Sequence, residues 1–484
     1  MSKKNEINDI CQYKKNDIIE IQIDDLGVDG EGIGKAEGFT FFVKDVVPGD
    51  YIRAKVIKVK SKYGYARLEK VLEPSSFRVE PKCRFARNCG GCQLQALSYA
   101  KQLEYKQNKV RSNLVRIGGI DKDYLDSITE PIVGMDNDAF HYRNKAQFPF
   151  GVDKDNNLIC GFYAGRTHSI IANTDCALGV PENEIILNTI LEYMKECGIT
   201  AYDEHTGDGV LRHVLIRKGF HSGQLMVCLV INSTTLKKQD VLIDKLCNIS
   251  GMTAISISIN TKNTNVIMGD NYKTIWGEDT IEDTLLGLRF RISPLSFYQV
   301  NPVQVEKLYD IALEYAELDG CEEVWDICCG IGTITLCAAA RMKEKYSKTC
   351  IEIGKSVKNI GFVHGLEIVP QAIEDAKQNA VRNGIDNVDF ICAAAEEYLP
   401  ANKDKIKADV IILDPPRKGM EEKALQVIAD TNPKKIVYVS CDSATLARDI
   451  KYLEGHGYKL TKVRACDMFP QTTHVETVCL LSRK

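Results

Sequence analysis

The stretch Lys435-Ile436-Val437-Tyr438-Val439-Ser440-Cys441-Asp442 decides the fold class. Its apolar core is short and rich in β-branched residues, which fits a buried strand better than a helix. A helical stretch, Ser443 to Leu453, follows without a loop. A buried strand delivered straight into a helix is the repeating unit of a parallel α/β sheet. Cys441 stands at the junction, where the helix dipole and free N–H groups can stabilise a thiolate.

Working outward, the same alternation continues in both directions. Strands are expected at 323–328, 362–368, 388–392, 408–413, 435–440, 458–464 and 475–482, and helices at 303–317, 333–343, 370–383 and 444–454. That pattern predicts a doubly wound, mostly parallel sheet over residues 290–484, with ligands bound at the carboxyl ends of its strands. Three motifs fall at those ends: the glycine turn Asp326-Ile327-Cys328-Cys329-Gly330-Ile331-Gly332, the acid Glu367 after Val363-His364-Gly365-Leu366, and Asp414-Pro415-Pro416-Arg417 after Val410-Ile411-Ile412-Leu413. An acid at the end of the second strand can accept hydrogen bonds from ribose hydroxyls. The turn lacks a full G-x-G-x-x-G, which disfavours a dinucleotide and favours S-adenosylmethionine, a nucleoside without phosphate.

The bulk composition is that of a soluble chain: 484 residues, 44% hydrophobic and 26% charged. No apolar run approaches the length of a membrane span and no secretory leader is visible, so a cytosolic protein is expected. The net charge of −4 argues weakly against a nucleic-acid partner. Locally the balance reverses. Arg53, Lys55, Lys58, Lys60, Lys62, Arg67 and Lys70 are broken only by Glu69, with Tyr63 and Tyr65 among them. Such a stripe suits an RNA backbone and its bases, or is simply a solvated strand face.

Residues 11–73 read as short strands punctuated by glycines, the signature of a small β-barrel. Gly30-Glu31-Gly32-Ile33-Gly34 is read as a turn cluster, since no helix follows it to make a phosphate loop. Residues 74–289 form a central α+β region, with helical periodicity at 98–117 inside the 94–125 segment, which is expected to pack on the catalytic domain. The residues from 341 to 361 read as a solvated surface insertion.

Of the 18 cysteines, most lie singly in apolar runs and read as small buried hydrophobes. Cys83, Cys89 and Cys92 differ: they form C-x5-C-G-G-C, with Gly90 and Gly91 able to wrap closely around a bound centre. Three thiols in ten residues of a cytosolic chain favour a metal centre, and the spacing accommodates iron–sulfur or zinc. A fourth ligand must come from elsewhere; Cys160 and Cys176 are the nearest in the following region.

The chain resembles the class I, S-adenosylmethionine-dependent RNA (uracil-5-)-methyltransferases, in particular the branch acting on 23S ribosomal RNA. The residues that carry the resemblance are Phe297-Tyr298-Gln299-Val300-Asn301, the 329–333 turn, Gly365-Leu366-Glu367, Asp414-Pro415-Pro416-Arg417, Ser440-Cys441-Asp442 with Ala444 to Asp449, and His474-Val475-Glu476-Thr477-Val478. The resemblance implies a Rossmann-like class I methyltransferase domain, an OB-like TRAM barrel at the N-terminus and an RNA-binding central domain. It implies that Gln299, Cys328, Glu367 and Asp414 contact S-adenosylmethionine, that Cys441 is the nucleophile, and that Glu476 is the base. Position 328 departs from the family, which usually has an aromatic there. The resemblance also selects Cys176 as the fourth ligand and a [4Fe-4S] cluster as the centre. The implied substrate is a uridine of 23S ribosomal RNA, of the 1939 or 747 class or both, acted on by a monomer.

The chemistry explains the residue types. Uracil C5 is too weak a nucleophile to take a methyl group unaided; a thiolate added at C6 makes C5 an enolate carbon, and a base must then remove the C5 proton. The target base must leave its stack to reach the thiol. Two other readings compete. The same chemistry on tRNA is one. A non-catalytic RNA-binding ribosome-assembly factor is the other, which the pairing of Cys441 with Glu476 opposes. A radical methylthiotransferase would require a C-x3-C-x2-C cluster that the chain lacks.

Overall fold

The computed structural model of the protein describes residues 13–165, 167–353 and 360–484. They form two units, one running to Lys106 and taking in Phe469–Thr473, the other comprising Gln107–Met468 and His474–Lys484.

In the first unit, Ile18–Leu26, Gly32–Ala36, Phe39–Lys44, Tyr51–Val59 and Tyr63–Glu73 close into a five-stranded barrel. Residues 11 and 12, where the barrel was expected to begin, lie outside the described residues. Alternate side chains point inward, so Ile19, Ile21, Ile23, Phe41, Val43, Ile52, Ala54 and Val56 fill the interior. The glycine cluster is only partly a turn. Gly32 and Gly34 sit within a strand, where a Cβ would stand 2.2 Å from Val46 Cγ2 and 2.3 Å from the Gln22 carbonyl oxygen. They are there because a tight barrel leaves no room for a side chain. The basic stripe lies on the outer face, with Lys55 opposite Arg67 and Lys58 opposite Tyr65. Phe42, Tyr63 and Tyr65 cluster beside it, ring centroids 5.5–5.8 Å apart.

The second unit carries two large sheets. A seven-stranded sheet runs in the order Tyr272–Gly277, Met252–Ile259, Leu225–Ile231, Leu211–Lys218, Lys145–Val152, Leu158–Tyr163, Ile170–Ala172. Helices Glu182–Cys197 and Gln239–Leu246 cover one of its faces with Ile186, Ile190, Met194, Leu242 and Leu246.

The other sheet has eight strands, ordered Val388–Cys392, Phe362–Glu367, Glu323–Ile327, Val410–Leu413, Lys435–Ser440, Glu476–Arg483, Tyr458–Cys466, Thr129–Val133. The first five are mutually parallel, and Glu476–Arg483 is antiparallel to both neighbours. This is the expected doubly wound sheet with one addition, the edge strand Thr129–Val133. The helix that follows the glycine turn runs from Thr333 to Ile353, well past the expected end at 343. Of the expected insertion, residues 354–359 lie outside the described residues. No helix among the described residues is long and apolar enough to cross a membrane.

Candidate active site

Register alone gathers the chemistry. Ile327 pairs with both Leu366 and Leu413, so Cys328, Glu367 and Asp414 leave the sheet side by side. Leu413 pairs with Tyr438, and Ser440 with Thr477. Cys441, one residue past its strand, therefore faces Glu476, the first residue of the neighbouring antiparallel strand.

The two segments that carry Arg417 and Cys441 are fastened together by the helix Ser443–Gly455. Thr445 Oγ1 donates to the Arg417 carbonyl at 3.2 Å, and Arg448 Nη2 donates to the carbonyls of Lys418 and Met420 at 3.0 and 3.1 Å. Asp449, 1% exposed, accepts from Met420 N at 2.9 Å and from the Tyr438 hydroxyl at 2.6 Å. Gly419 has φ +73°, and a Cβ there would lie 2.6 Å from both Arg448 Nη2 and Asp449 Oδ2. The helix itself starts cleanly: Asp442 caps it, its Oδ1 accepting from Ala444 N and Thr445 N at 2.9 and 3.0 Å. The residue after the thiol thus fixes the backbone that presents it.

Burial dominates the electrostatics. It pushes the Cys441 thiol up to about 12, with Glu476 and Asp414 adding to the rise and Arg417 opposing it. Glu476 is 4% exposed, and burial, reinforced by Asp414 and opposed by Arg417, raises its carboxyl to about 8. Asp414 is raised to about 7, by burial first and by Asp326 second. Asp326 is raised to about 7 by burial, against a 2.6 Å hydrogen bond from Thr335 Oγ1. Two buried acids, Asp326 and Glu476, and the half-buried Asp414 and Glu367 thus crowd one end of the sheet, where Arg417 favours the charged forms of Glu476 and Cys441. Such a set fits a cationic nucleoside, whose charge relieves the crowding.

Around the glycine turn, Glu367 accepts from Gly330 N at 3.1 Å and from Val369 N at 3.0 Å. Gly330 has φ +55° with open space where a Cβ would project. Cys328 holds φ +70°, uncommon for a residue with a side chain, and both its N–H and that of Cys329 donate to the Leu366 carbonyl. Gln299 lies in the loop before helix Pro302–Ala316, its carbonyl accepting from Asn144 Nδ2 at 3.1 Å. No hydrogen bond ties its side chain to Glu367 or Asp414 among the described residues. Sequence reasoning passed over Asp326 and Tyr309 as site residues. The Tyr309 hydroxyl meets Thr333 Oγ1 at 3.0 Å and lies close enough to Asp414 to feel its charge. Asp326 carried a signal, an acid at the end of an otherwise apolar strand; Tyr309 carried none.

The cysteine cluster is less complete. Cys83, Cys89 and Cys92 lie in the first unit and Cys176 in the second. Burial raises the Cys89 thiol, and Cys83 is near enough to add to that rise. Among the described residues no three His, Cys, Asp or Glu side chains stand together as a metal-holding group.

The family described as tRNA (uracil-5-)-methyltransferase matches residues 98–484, and the TRAM domain matches residues 12–68. An uncharacterised RNA methyltransferase of Clostridium acetobutylicum is 46% identical over 477 residues, covering 98% of this chain and 99% of its own. One from Halalkalibacterium halodurans is 44% identical over 472 residues, covering 97% and 98%. Among solved structures, the Pyrococcus abyssi tRNA (uracil-54, C5)-methyltransferase in complex with S-adenosyl-L-homocysteine superposes with a TM-score of 0.73 at 27% identity, over 96% of this chain and all of that one. The barrel is thus a TRAM domain and the eight-stranded sheet a class I methyltransferase fold.

Proposed function

The chain belongs to the tRNA (uracil-5-)-methyltransferase family, and from that premise we propose that it methylates C5 of a uridine in RNA through a covalent adduct on Cys441. The observation that carries the reading is the meeting of Cys441, Glu476, Asp414 and Arg417 at one buried sheet end. S-adenosylmethionine supplies the methyl group and a sulfonium charge. Asp414 and Glu367, crowded by Asp326, are the acids suited to a cationic nucleoside; Cys328 leaves the sheet beside them, and the resemblance adds Gln299. Cys441, its proton passed to solvent, would add its Sγ to C6 of uracil, and the C5=C6 electron pair would make C5 the carbon that takes the methyl group. Glu476 would then remove the C5 proton, the C6–S bond would break to restore the C5=C6 bond, and the released thiolate would regain a proton from solvent. Arg417 favours the ionised forms of both groups.

For substrate, the reading is 23S ribosomal RNA, acted on by a cytosolic monomer. What supports it is the cysteine cluster, since the resemblance gives Cys83, Cys89, Cys92 and Cys176 to a [4Fe-4S] centre in that branch. The TRAM domain does not discriminate: an overlap of 96% with a tRNA enzyme leaves too few residues outside to omit it. That overlap favours tRNA as the second reading. Incubation of the protein with labelled S-adenosylmethionine and either RNA, followed by nucleoside mass spectrometry, separates them. 5-Methyluridine in 23S ribosomal RNA alone supports the first reading, product in tRNA alone the second, and product in neither overturns the methyltransferase assignment. Iron and sulfide analysis after anaerobic purification tests the cluster; zinc, or no metal, contradicts it.

A further inference from the structure

In the central sheet, Lys145 and Arg217 are direct partners across the antiparallel pairing of Lys145–Val152 with Leu211–Lys218. Like charges in that position repel each other. Arg217 is 2% exposed. Its Nη2 donates to the carbonyls of Ser296 and Pro294, while its Nε is buried without a partner. The Lys145 ammonium makes no hydrogen bond or ion pair among the described residues, and neither does the Arg143 guanidinium beside it. Burial, then Arg217, then Arg143, push Lys145 down to about 8, and no acid opposes them. By contrast, the neighbouring half-buried Lys218 is matched by Glu182 at 2.5 Å. Three clustered cations with no counter-charge cost stability unless an anion arrives.

The place of the cluster indicates which anion. Asn144, between the two half-buried members, donates from N to the Val300 carbonyl at 2.9 Å and from Nδ2 to the Gln299 carbonyl at 3.1 Å. Its Oδ1 is buried without a partner. The strand carrying the cations is therefore bound to the segment that enters the methyltransferase site. We propose that Lys145 and Arg143, set over buried Arg217, form a subsite for a phosphodiester of the RNA substrate, next to the uridine that leaves its stack. S-adenosylmethionine is a poor occupant, because its sulfonium and ammonium groups give it net positive charge. A polyanion pays no such penalty, and phosphate contacts of this kind set position and orientation rather than sequence. The inference rests on the RNA methyltransferase reading.

The test uses the full chain and whichever of 23S ribosomal RNA or tRNA the wild type methylates. RNA affinity is measured from about 50 to 200 mM salt for wild type, Lys145→Met, Arg143→Gln and Lys145→Arg. Each neutral substitution is expected to weaken RNA binding roughly ten-fold and to reduce the salt slope by about 1. S-adenosylmethionine affinity stays unchanged, Lys145→Arg keeps RNA binding, and Lys145→Met melts no lower than wild type because it removes a repulsion. Unchanged RNA affinity and slope in folded Arg143→Gln overturns the subsite, as does loss of S-adenosylmethionine binding in either neutral variant. If the wild type binds RNA without methylating it, the salt slopes still decide the subsite while the functional reading falls separately.

Discussion

At Cys441 the protein holds a thiol whose proton is costly to remove, with a base, Glu476, that is itself protonated near neutrality in the free state. Arg417 is the side chain that lowers both. Its replacement by Met is expected to move the rising limb of the kcat/KM profile to higher pH, since both groups then ionise later. A profile that keeps its position contradicts the role given to Arg417. Glu476→Gln retains the means to form the adduct but not to resolve it, so protein–RNA species are expected to accumulate while turnover falls by at least about 100-fold. Denaturing gels of the variant with RNA and S-adenosylmethionine show whether they do. Cys441 was legible from its place between an apolar strand and a helix, whereas Glu476 was picked out only through the family resemblance. Their juxtaposition was not legible, since it depends on the antiparallel pairing of Ser440 with Thr477.

Among elements, the helix Ser443–Gly455 joins the sheet to the Arg417 loop, and Asp442 starts it. Asp442→Ala removes both cap hydrogen bonds and is expected to cost about 1 kcal/mol in chemical denaturation. Asp442→Asn, which keeps an accepting oxygen, is expected to cost much less. Equal losses would show that the charge, not the cap, matters. The strand before this helix, Lys435–Ser440, was readable because a parallel strand buried on both faces is a continuous apolar run. Thr129-Glu130-Pro131-Ile132-Val133 was not: a proline interrupts it, and only pairing at the sheet edge beside Tyr458–Cys466 makes it a strand. Leu114–Gly118, a π-helical turn after Tyr99–Asn113, likewise has no signature apart from ordinary helical periodicity. The glycines at 32 and 34 were misjudged as wholly turn residues because crowding from Val46 and the Gln22 carbonyl is a property of the closed barrel.

Across the whole molecule, the acids of the site set a stability that depends on pH. Asp326 and Asp414 at about 7, and Glu476 at about 8, all hold protons more tightly folded than unfolded. Their contribution is fully present below about pH 4 and is lost as the pH rises through 7 to 8. Asp414→Asn removes one such group. Its melting temperature relative to wild type is expected to be higher at pH 8 than at pH 5, because the penalty on Asp414 is only partly incurred at pH 5; an equal difference at both values contradicts the assignment. The site is thus held at some expense to the free protein, as preorganised charge sites commonly are.

The most direct test of the central claim uses RNA transcribed with 5-fluorouridine. C5 then carries fluorine, which no base can remove as a proton, so an adduct formed at C6 and methylated at C5 persists. The complex is digested and its peptides are read by mass spectrometry. The account requires a methylated fluorouridine nucleotide on the peptide containing Cys441, and none with Cys441→Ala. Methylated RNA without any adduct, or an adduct on a different cysteine, contradicts it.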